Sequence, residues 1–472
     1  MADPKFFDFP SEARPFGLRP EVGRWLFIPL GLMVLLCLGT VYSWSIFSGP
    51  FEAELQSRPG AILLPFLVLG VMFTLVMPIT GLYMNRCSPR ILTTLGGIVV
   101  AIGYYLSSMA PNLPFLVFSY GVVAGIGVGI AYGVPLAVAA RWFPDRKGFA
   151  VGMTVVGFGL SPLITAPISF VLINGSSRLG FAGWGVRMTF VILGTAFLAI
   201  ILAIASTLRL PPPRWQPPGW HPPLPTINPD PKASNNLPMP QTQTFYGLWF
   251  CYIVGTFTGL TAIATTAQIS QEVVGLEPIL LTQLVPLFAV FNGIGRPLFG
   301  WLNDRLRPKR TIILINLLIL TASIIMLNTG AGQIVNFCIA FCLFWFCLGA
   351  WLAVAPAATL SFFGLDNYPS NYGLLFTAFG IGGLSGIFTA GGIRAVMGSF
   401  SPFFYVTATL AILAIGVATV ALNAPRKTAI ADFLWRWVIS PLGSPLLALV
   451  EGWLFLATPH QLNVPTKGRE KS

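Results

Sequence analysis

Charged residues are scarce in this 472-residue sequence: Asp, Glu, Lys and Arg together make up 9% of it, and there are two histidines. A soluble globular domain carries about 25% charged residues. With 55% hydrophobic residues and a mean hydropathy of +0.78, the chain lacks the polar surface that a water-soluble enzyme needs. We therefore expect an integral membrane protein whose main partner is the lipid bilayer.

Cysteine is also sparse, with six residues, and their spacing resembles neither a disulfide framework nor a zinc site. Five of the six lie inside apolar runs, where cysteine behaves as a small hydrophobic residue. The apolar runs contain no catalytic dyad and no cluster of metal-ligating side chains. The sequence therefore favours a protein that is not an enzyme and that binds no metal and no cofactor.

Long apolar runs dominate the chain. A transmembrane helix needs roughly 20 apolar residues, and twelve windows meet this length: 25–48, 61–83, 91–109, 114–140, 149–173, 186–208, 245–269, 281–302, 311–328, 333–359, 372–396 and 402–423. Residues 1–24 are charged and have no apolar core, so they are not a signal peptide. We predict an all-α integral membrane protein with twelve transmembrane helices.

The basic residues are distributed unevenly between the two sides of the predicted membrane. The N-terminus, alternate loops and the segment after residue 423 hold 22 Lys and Arg, whereas the opposite loops hold four. The positive-inside rule then predicts a cell-membrane protein whose two termini both lie in the cytoplasm. This placement explains the net charge of +12 without nucleic-acid binding.

Two segments fall outside the spans. Residues 209–244 are rich in proline and predict a stiff cytoplasmic linker. Residues 424–472 form a cytoplasmic tail, in which Phe433–Ala457 suits helices lying on the membrane surface. A tail of this kind leaves a transporter-like sensor as a remote alternative from another functional class.

The two halves of the chain, 25–208 and 245–423, repeat each other. Pro78 and Gly81 match Pro297 and Gly300 at an offset of 219 residues, and other matches follow in the same order at offsets of 216 to 224. A six-plus-six duplication is typical of carriers that work by alternating access. We predict two pseudo-symmetric six-helix halves and a monomeric transporter.

One ionisable residue, Arg296, lies well inside a predicted span, and no span carries a carboxylate to neutralise it. A buried ionisable residue is costly and therefore usually functional. The planar guanidinium matches a carboxylate through two hydrogen bonds. These facts predict a small carboxylate anion as substrate, whereas snorkelling of the side chain to the interface is the structural alternative.

The turns after the second and eighth spans are similar to the loop signature of the major facilitator superfamily, Gly-x-x-x-Asp-Arg-x-x-x-Arg. The first copy holds Gly81, Asn85, Arg86 and Arg90, and the second holds Gly300, Asp304, Arg305 and, one position beyond the last Arg of the pattern, Arg310. The resemblance implies the major facilitator fold and a gating role for both loops. The first copy departs from the pattern because Asn85 replaces the acid.

Longer phrases resemble the oxalate/formate antiporter family, which is related to the monocarboxylate carriers. They are GTVYSWSIF (39–47), the glycine-rich stretch 125–159, NGIGRPLFGWLND (292–304) and NYGLLFTAFG (371–380). The resemblance implies that Arg296, in the phrase Gly-x-x-Arg-Pro, binds the substrate carboxylate. It also implies that Tyr42 and Tyr132 are candidate members of the same substrate site.

Further residues are candidates for the walls of this site. Asn292 lies one helical turn before Arg296, on the same face, and has an amide to donate. Trp44 and either Trp345 or Trp351 could supply aromatic surface, although aromatic residues in spans more often face lipid or pack between helices. Phe379 stands where oxalate-exchanging members of the family carry a lysine.

The remaining expectations concern substrate and coupling. One cation suits a monocarboxylate such as formate, lactate or pyruvate better than oxalate. Asn292 stands where the related proton-coupled carriers have an aspartate, so an exchange of anions is favoured. The sequence leaves two other transport functions open: proton-coupled monocarboxylate symport and export of larger amphipathic compounds.

Overall fold

The described residues form twelve long helices, which are joined by short connections except for the linker between the sixth and the seventh. The computed structural model describes residues 15–57, 61–84, 86–176, 180–212, 215–218, 220, 238–365 and 367–423. In the first half the helices are α1 Pro20–Ser43, α2 Ala61–Tyr83, α3 Pro89–Ser108, α4 Leu113–Trp142, α5 Lys147–Asn174 and α6 Gly185–Ala205. In the second half they are α7 Gln243–Val274, α8 Pro278–Leu306, α9 Pro308–Leu327, α10 Ile334–Phe363, α11 Tyr368–Met397 and α12 Phe403–Ala421.

All of these helices are long enough to cross a bilayer. Among the described residues, eleven helices are both long enough and apolar enough to cross a membrane. The twelfth, α8, has 29 residues, which at 1.5 Å per residue exceeds the roughly 30 Å of hydrocarbon. The predicted all-α fold with twelve membrane helices is confirmed. The helices predicted within 433–457 lie outside the described residues, as do Asn85 and most of the linker.

The linker between α6 and α7 defines two sides of the molecule. We call the side on which α6 ends and α7 begins the linker face, and the other side the far face. On the linker face, Trp142 donates its indole hydrogen to the Arg209 carbonyl oxygen at 2.8 Å. Trp215 packs edge-on against Trp142, with ring centroids 5.1 Å apart. The first part of the linker is therefore fixed to the first half.

The first helix is longer than its apolar window. It turns into a tighter helical segment at Gly39–Ser43 and continues as the helix Trp44–Leu55, which ends at Gln56 in a left-handed conformation. The first helix of the second half, α7, ends in the same way at Gly275, again with a left-handed cap. These two caps are 219 residues apart and reflect the internal repeat.

Three glycines, Gly81, Gly148 and Gly300, pack against backbone where the two halves meet. A methyl group at Gly81 of α2 would collide with the Pro369 carbonyl of α11, and one at Gly300 of α8 would collide with the Gly148 carbonyl of α5. The Ser370 hydroxyl also donates to the Gly81 carbonyl at 3.0 Å. Because Gly81 and Gly300 are repeat counterparts, the same close contact occurs twice, once at each seam between the halves.

The seams are tight from the middle of the molecule to the linker face. Along α2 and α11, Thr74 packs on Gly380. Further toward the far face, Gly70 and Gly391 have no neighbouring atom within 4 Å of where a side chain would begin. A cavity of about 500 Å³, lined by second-half residues that include Gln268, Gly391 and Arg394, lies on this side. The α2–α11 seam is thus closed toward the linker face and open at Gly70 and Gly391.

Candidate functional site

Arg296 lies at the seam between α5 and α8 and is completely buried, with 0% of its surface exposed. Its Nη1 donates to the Val155 carbonyl oxygen of α5 at 2.6 Å. Its Nη2 donates to Asn292 Oδ1 at 3.0 Å. Nε is buried and has no partner. A guanidinium has five N–H donors, so these bonds fix its position and leave donors free for a ligand.

A glycine on the facing helix makes room for this side chain. A methyl group at Gly159 of α5 would collide with the guanidinium carbon of Arg296. About two turns earlier on α5, Gly152 packs against the Arg296 carbonyl oxygen. The guanidinium of the second half is therefore held directly against the backbone of the first half. The Arg296 side chain is therefore buried between the halves and does not extend to the membrane interface.

Asn292 acts as a bridge inside the second half. Its Oδ1 accepts from Arg296, and its Nδ2 donates to the Trp345 carbonyl oxygen of α10 at 2.9 Å. The Asn292 amide nitrogen, which we expected to donate to the ligand, thus donates to the backbone of α10 instead. Asn292 is 5% exposed and orients Arg296.

Four tyrosines from four helices lie within electrostatic range of the Arg296 guanidinium: Tyr42 of α1, Tyr132 of α4, Tyr252 of α7 and Tyr372 of α11. Each hydroxyl is buried and makes no hydrogen bond of 3.5 Å or less. The Tyr42 hydroxyl lies near Arg296, and the hydroxyls of Tyr132 and Tyr372 lie near each other. Leaving a buried hydroxyl unpaired costs about 1–3 kcal/mol. Four such groups converging on one cation are the pattern expected of a site that binds an acceptor-rich ligand.

Trp351 of α10 extends this group. Its ring stacks on Tyr252, with centroids 5.4 Å apart and planes 21° apart. Its indole Nε1 is buried and unpartnered. Gly255 of α7 permits the arrangement, since a methyl group there would collide with the indole ring. Trp351 therefore offers another hydrogen-bond donor beside the tyrosines.

Phe376 closes the site on the side of the linker face. Its ring centroid lies 4.8 Å from that of Phe73 on α2 and 5.6 Å from that of Tyr132 on α4. Phe379, one turn along α11, stacks on Phe376 at 4.9 Å and 13°. Rings from both halves thus form a plug, which we call the aromatic plug and which consists of Phe73, Phe376 and Phe379.

Trp44 is the one predicted wall residue that the structure places away from Arg296. Its indole donates to the Ile62 carbonyl oxygen at 3.0 Å and its ring stacks on Tyr120 at 4.6 Å. It lies on the helix that continues α1 toward the far face. Trp345 contacts the site only through its carbonyl oxygen, which holds Asn292.

The second loop signature forms a contact between the halves. The carboxylate of Asp304 accepts hydrogen bonds from the backbone nitrogens of Gly148 and Phe149, both at 3.0 Å. These nitrogens belong to the first turn of α5, where an anion is favoured by unpaired N–H groups and the helix dipole. Asp304 therefore joins the end of α8 to the start of α5. Arg305 lies over the ring of Trp301, 5.2 Å from its centroid.

The first loop signature shows part of the same arrangement. Gly81 makes the close contact with α11 described above, and Arg90 donates to the Leu208 carbonyl oxygen at the end of the first half, at 3.1 Å. Arg86 is exposed, as is Arg310 in the second copy. Asn85 lies outside the described residues, so its predicted gating role stays a prediction.

Several contributors to the site were missed by sequence reasoning. They are the Val155 carbonyl, Gly159, Tyr252, Tyr372, Phe73 and Phe376. Tyr372 and Phe376 lie within the phrase 371–380 that carries the family resemblance, which was the available signal. A backbone carbonyl and a missing side chain leave no mark of their own in a sequence.

Comparison with known proteins supports the fold and the kind of protein. The sequence model of the family described as the Major Facilitator Superfamily matches residues 30–386 of this chain. The oxalate:formate antiporter of Oxalobacter formigenes is 28% identical over 401 residues, covering 84% of this chain and 91% of that one. The uncharacterized MFS-type transporter YhjX of Escherichia coli is 26% identical over 361 residues, covering 76% and 86%.

A solved structure shows the same architecture. The crystal structure of the Major Facilitator Superfamily transporter FucP in the outward conformation matches with a TM-score of 0.62 and 13% sequence identity. The match covers 86% of this chain and 100% of that one. At this identity the likeness concerns the fold alone.

Proposed function

The chain belongs to the Major Facilitator Superfamily, and on that premise we propose that it exchanges small monocarboxylate anions across a cell membrane, binding them at Arg296. Membership makes it a secondary transporter. The substrate and the exchange mode are our proposal. Two relatives match this chain over most of its length, and one of them is named an oxalate:formate antiporter.

The observation that carries the proposal is a buried cation without a counterion. Arg296 is fully buried, and among the described residues no carboxylate forms an ion pair with it. An uncompensated buried charge costs several kcal/mol, which an anionic ligand would recover. A carboxylate would accept from Nε and from the donor hydrogens that Val155 and Asn292 leave free.

The neighbouring groups favour a small ligand with several acceptor oxygens. The unpartnered donors are the hydroxyls of Tyr42, Tyr132, Tyr252 and Tyr372 and the indole of Trp351. One carboxylate has two oxygens with about four acceptor positions. Formate, lactate and pyruvate meet this need while adding little volume to a site closed by the aromatic plug.

The charge balance favours a monoanion. Phe379 occupies the position at which oxalate-exchanging members carry lysine, and it stacks on Phe376 with 7% of its surface exposed. Around Arg296 the described residues place no second cation. A monocarboxylate neutralises Arg296, whereas oxalate would bring a second negative charge to an apolar wall at a cost of several kcal/mol.

The same balance favours exchange. Asn292 holds Arg296 without being able to take up a proton. With a monoanion bound, the site carries no net charge, and the transporter can switch the side of the membrane to which the site is open. Without an anion, Arg296 would have to pass through this transition as an uncompensated charge inside the membrane, which is costly. Bound substrate is therefore needed for both directions of the cycle. The predicted charge asymmetry makes the linker face cytoplasmic.

The test is a competition assay with purified protein in proteoliposomes. Radiolabelled formate or lactate uptake should be inhibited by unlabelled monocarboxylates more strongly than by oxalate. Arg296→Ala should abolish uptake, and Arg296→Lys should restore little, because an ammonium cannot replace the fixed planar fork. Arg19→Ala, at an exposed arginine outside the spans, is the control and should transport normally. Normal uptake by Arg296→Ala would contradict the proposal.

A further inference from the structure

Three unpartnered tyrosines continue from the central site toward the linker face. Tyr132, Tyr372 and Tyr368 are each at most 1% exposed, and none of their hydroxyls makes a hydrogen bond of 3.5 Å or less, although those of Tyr132 and Tyr372 lie near each other. The rings of Tyr368 and Tyr372 stack with centroids 5.8 Å apart and planes 7° apart. Both rings lie within electrostatic range of Tyr132. The hydroxyls thus form a series along the start of α11.

This series lies behind the aromatic plug as seen from the far face. Tyr372 packs on Phe376 at 5.8 Å, and Phe376 in turn packs on Tyr132. Tyr368 begins α11 at the linker face, eleven residues or about 16 Å along the helix from Phe379. An anion that leaves Arg296 toward the linker face along this seam must pass Phe376 and then meet Tyr372 and Tyr368.

The repeat counterpart of this segment lacks the hydroxyls. At the offset of 221 to 224 residues, Tyr368 and Tyr372 correspond to positions between 144 and 151, where the sequence holds no tyrosine. There the seam is closed by the Asp304 carboxylate bound to the start of α5. In that segment Lys147 lies within electrostatic range of Asp304, so charged groups stand where α11 presents neutral hydroxyls, and the two seams are chemically different at the linker face.

We propose that Tyr368, together with the hydroxyls of Tyr132 and Tyr372 at the edge of the central site, forms a second, transient binding site for the small carboxylate, on the linker side of Phe376, through which the anion is released along α11. This inference rests on the proposed function. Buried phenol hydroxyls without partners would be better replaced by phenylalanine if they only filled space. Here they provide neutral donors that hold an anion weakly enough to let it go.

The test separates binding at Arg296 from release. Tyr368→Phe should keep the equilibrium affinity for lactate of the detergent-solubilised protein within about twofold. Its lactate exchange rate in proteoliposomes should fall about tenfold, the factor that one hydrogen bond to a charged group contributes. Tyr120→Phe is the matched control, because its hydroxyl is also buried without a hydrogen bond of 3.5 Å or less but lies among the first-half helices, near Tyr104 and Trp44.

Each outcome decides the inference. Exchange at the wild-type rate in Tyr368→Phe would overturn it. An affinity loss in proportion to the loss of exchange would place Tyr368 in the central site and also overturn it. Failure of the wild-type protein to bind or exchange any monocarboxylate would instead contradict the proposed function itself.

Discussion

Gly159 of α5 has no side chain at the point where the guanidinium of Arg296, on α8, lies against the facing helix. The two residues belong to different halves of the molecule, so the cation of the second half is seated on the backbone of the first. A change of access must break this contact. Gly159 therefore sets both the position of Arg296 and the closure of the seam.

Gly159→Ala should impair transport without unfolding the protein. The added methyl group would collide with the guanidinium carbon, which should displace Nη1 from the Val155 carbonyl. Loss of charge-assisted hydrogen bonds worth about 1.5–3 kcal/mol each predicts a fall in substrate affinity of ten- to a hundredfold. Isothermal titration with lactate measures it. Gly391→Ala, at a glycine with open space beside it, should bind normally.

Asn292→Asp should place a carboxylate about where Oδ1 now accepts from Arg296 at 3.0 Å. This internal ion pair would compete with the substrate anion and should reduce exchange at neutral pH by tenfold or more. Protonation of the new carboxylate would free Arg296, so an imposed inward proton gradient should stimulate uptake by the variant. If the variant exchanges like the wild type and ignores the gradient, Asn292 has no part in holding Arg296.

Phe379→Lys should change substrate preference. The side chain lies beside Phe376 and Phe73 in the aromatic plug, and a lysine there would add the second cation that a dianion requires. We expect oxalate to become the stronger competitor of formate uptake, with weaker competition by lactate. Phe379→Met keeps an apolar side chain and should keep the wild-type order of competitors. An unchanged order in Phe379→Lys would contradict the charge argument.

Asp304→Asn should loosen the linker-face contact. The substitution removes the charge that faces the first turn of α5, an interaction of about 0.3–1 kcal/mol or more, and leaves one acceptor for two backbone donors. The population opened at the linker face should rise several-fold. An impermeant maleimide applied from that face should label a cysteine at Thr74, in the α2–α11 seam, correspondingly faster. Equal labelling rates would show that this contact does not hold the seam closed.

The fold could be predicted closely because hydrophobic length alone specifies a membrane helix. The window 186–208 corresponds to Gly185–Ala205, and 61–83 to Ala61–Tyr83. The largest differences occur where helices extend beyond the apolar window, as in α7, which begins after the capping side chain of Thr242 and runs to Val274. Helix caps and bends lie outside what hydropathy reports.

Site residues were predictable only where their type is rare within the membrane spans. Arg296 could be singled out because it is the one charge deep within a span. Tyr252 and Tyr372 could not, because aromatic residues make up 13% of the chain and no sequence pattern tells which of them meet at the seam between the halves. Trp44 illustrates the reverse case, since its neighbours in the phrase 39–47 include Tyr42, yet its indole bonds to Ile62.

The most direct test of the central claim is counterflow in proteoliposomes. Vesicles containing the purified protein are loaded with unlabelled lactate or left empty, and the initial uptake of radiolabelled lactate is measured with and without an imposed pH gradient. Because Arg296 should need a bound anion to return, internal lactate should accelerate uptake several-fold and the gradient should have little effect. Rapid uptake into empty vesicles driven by the pH gradient would contradict anion exchange at Arg296.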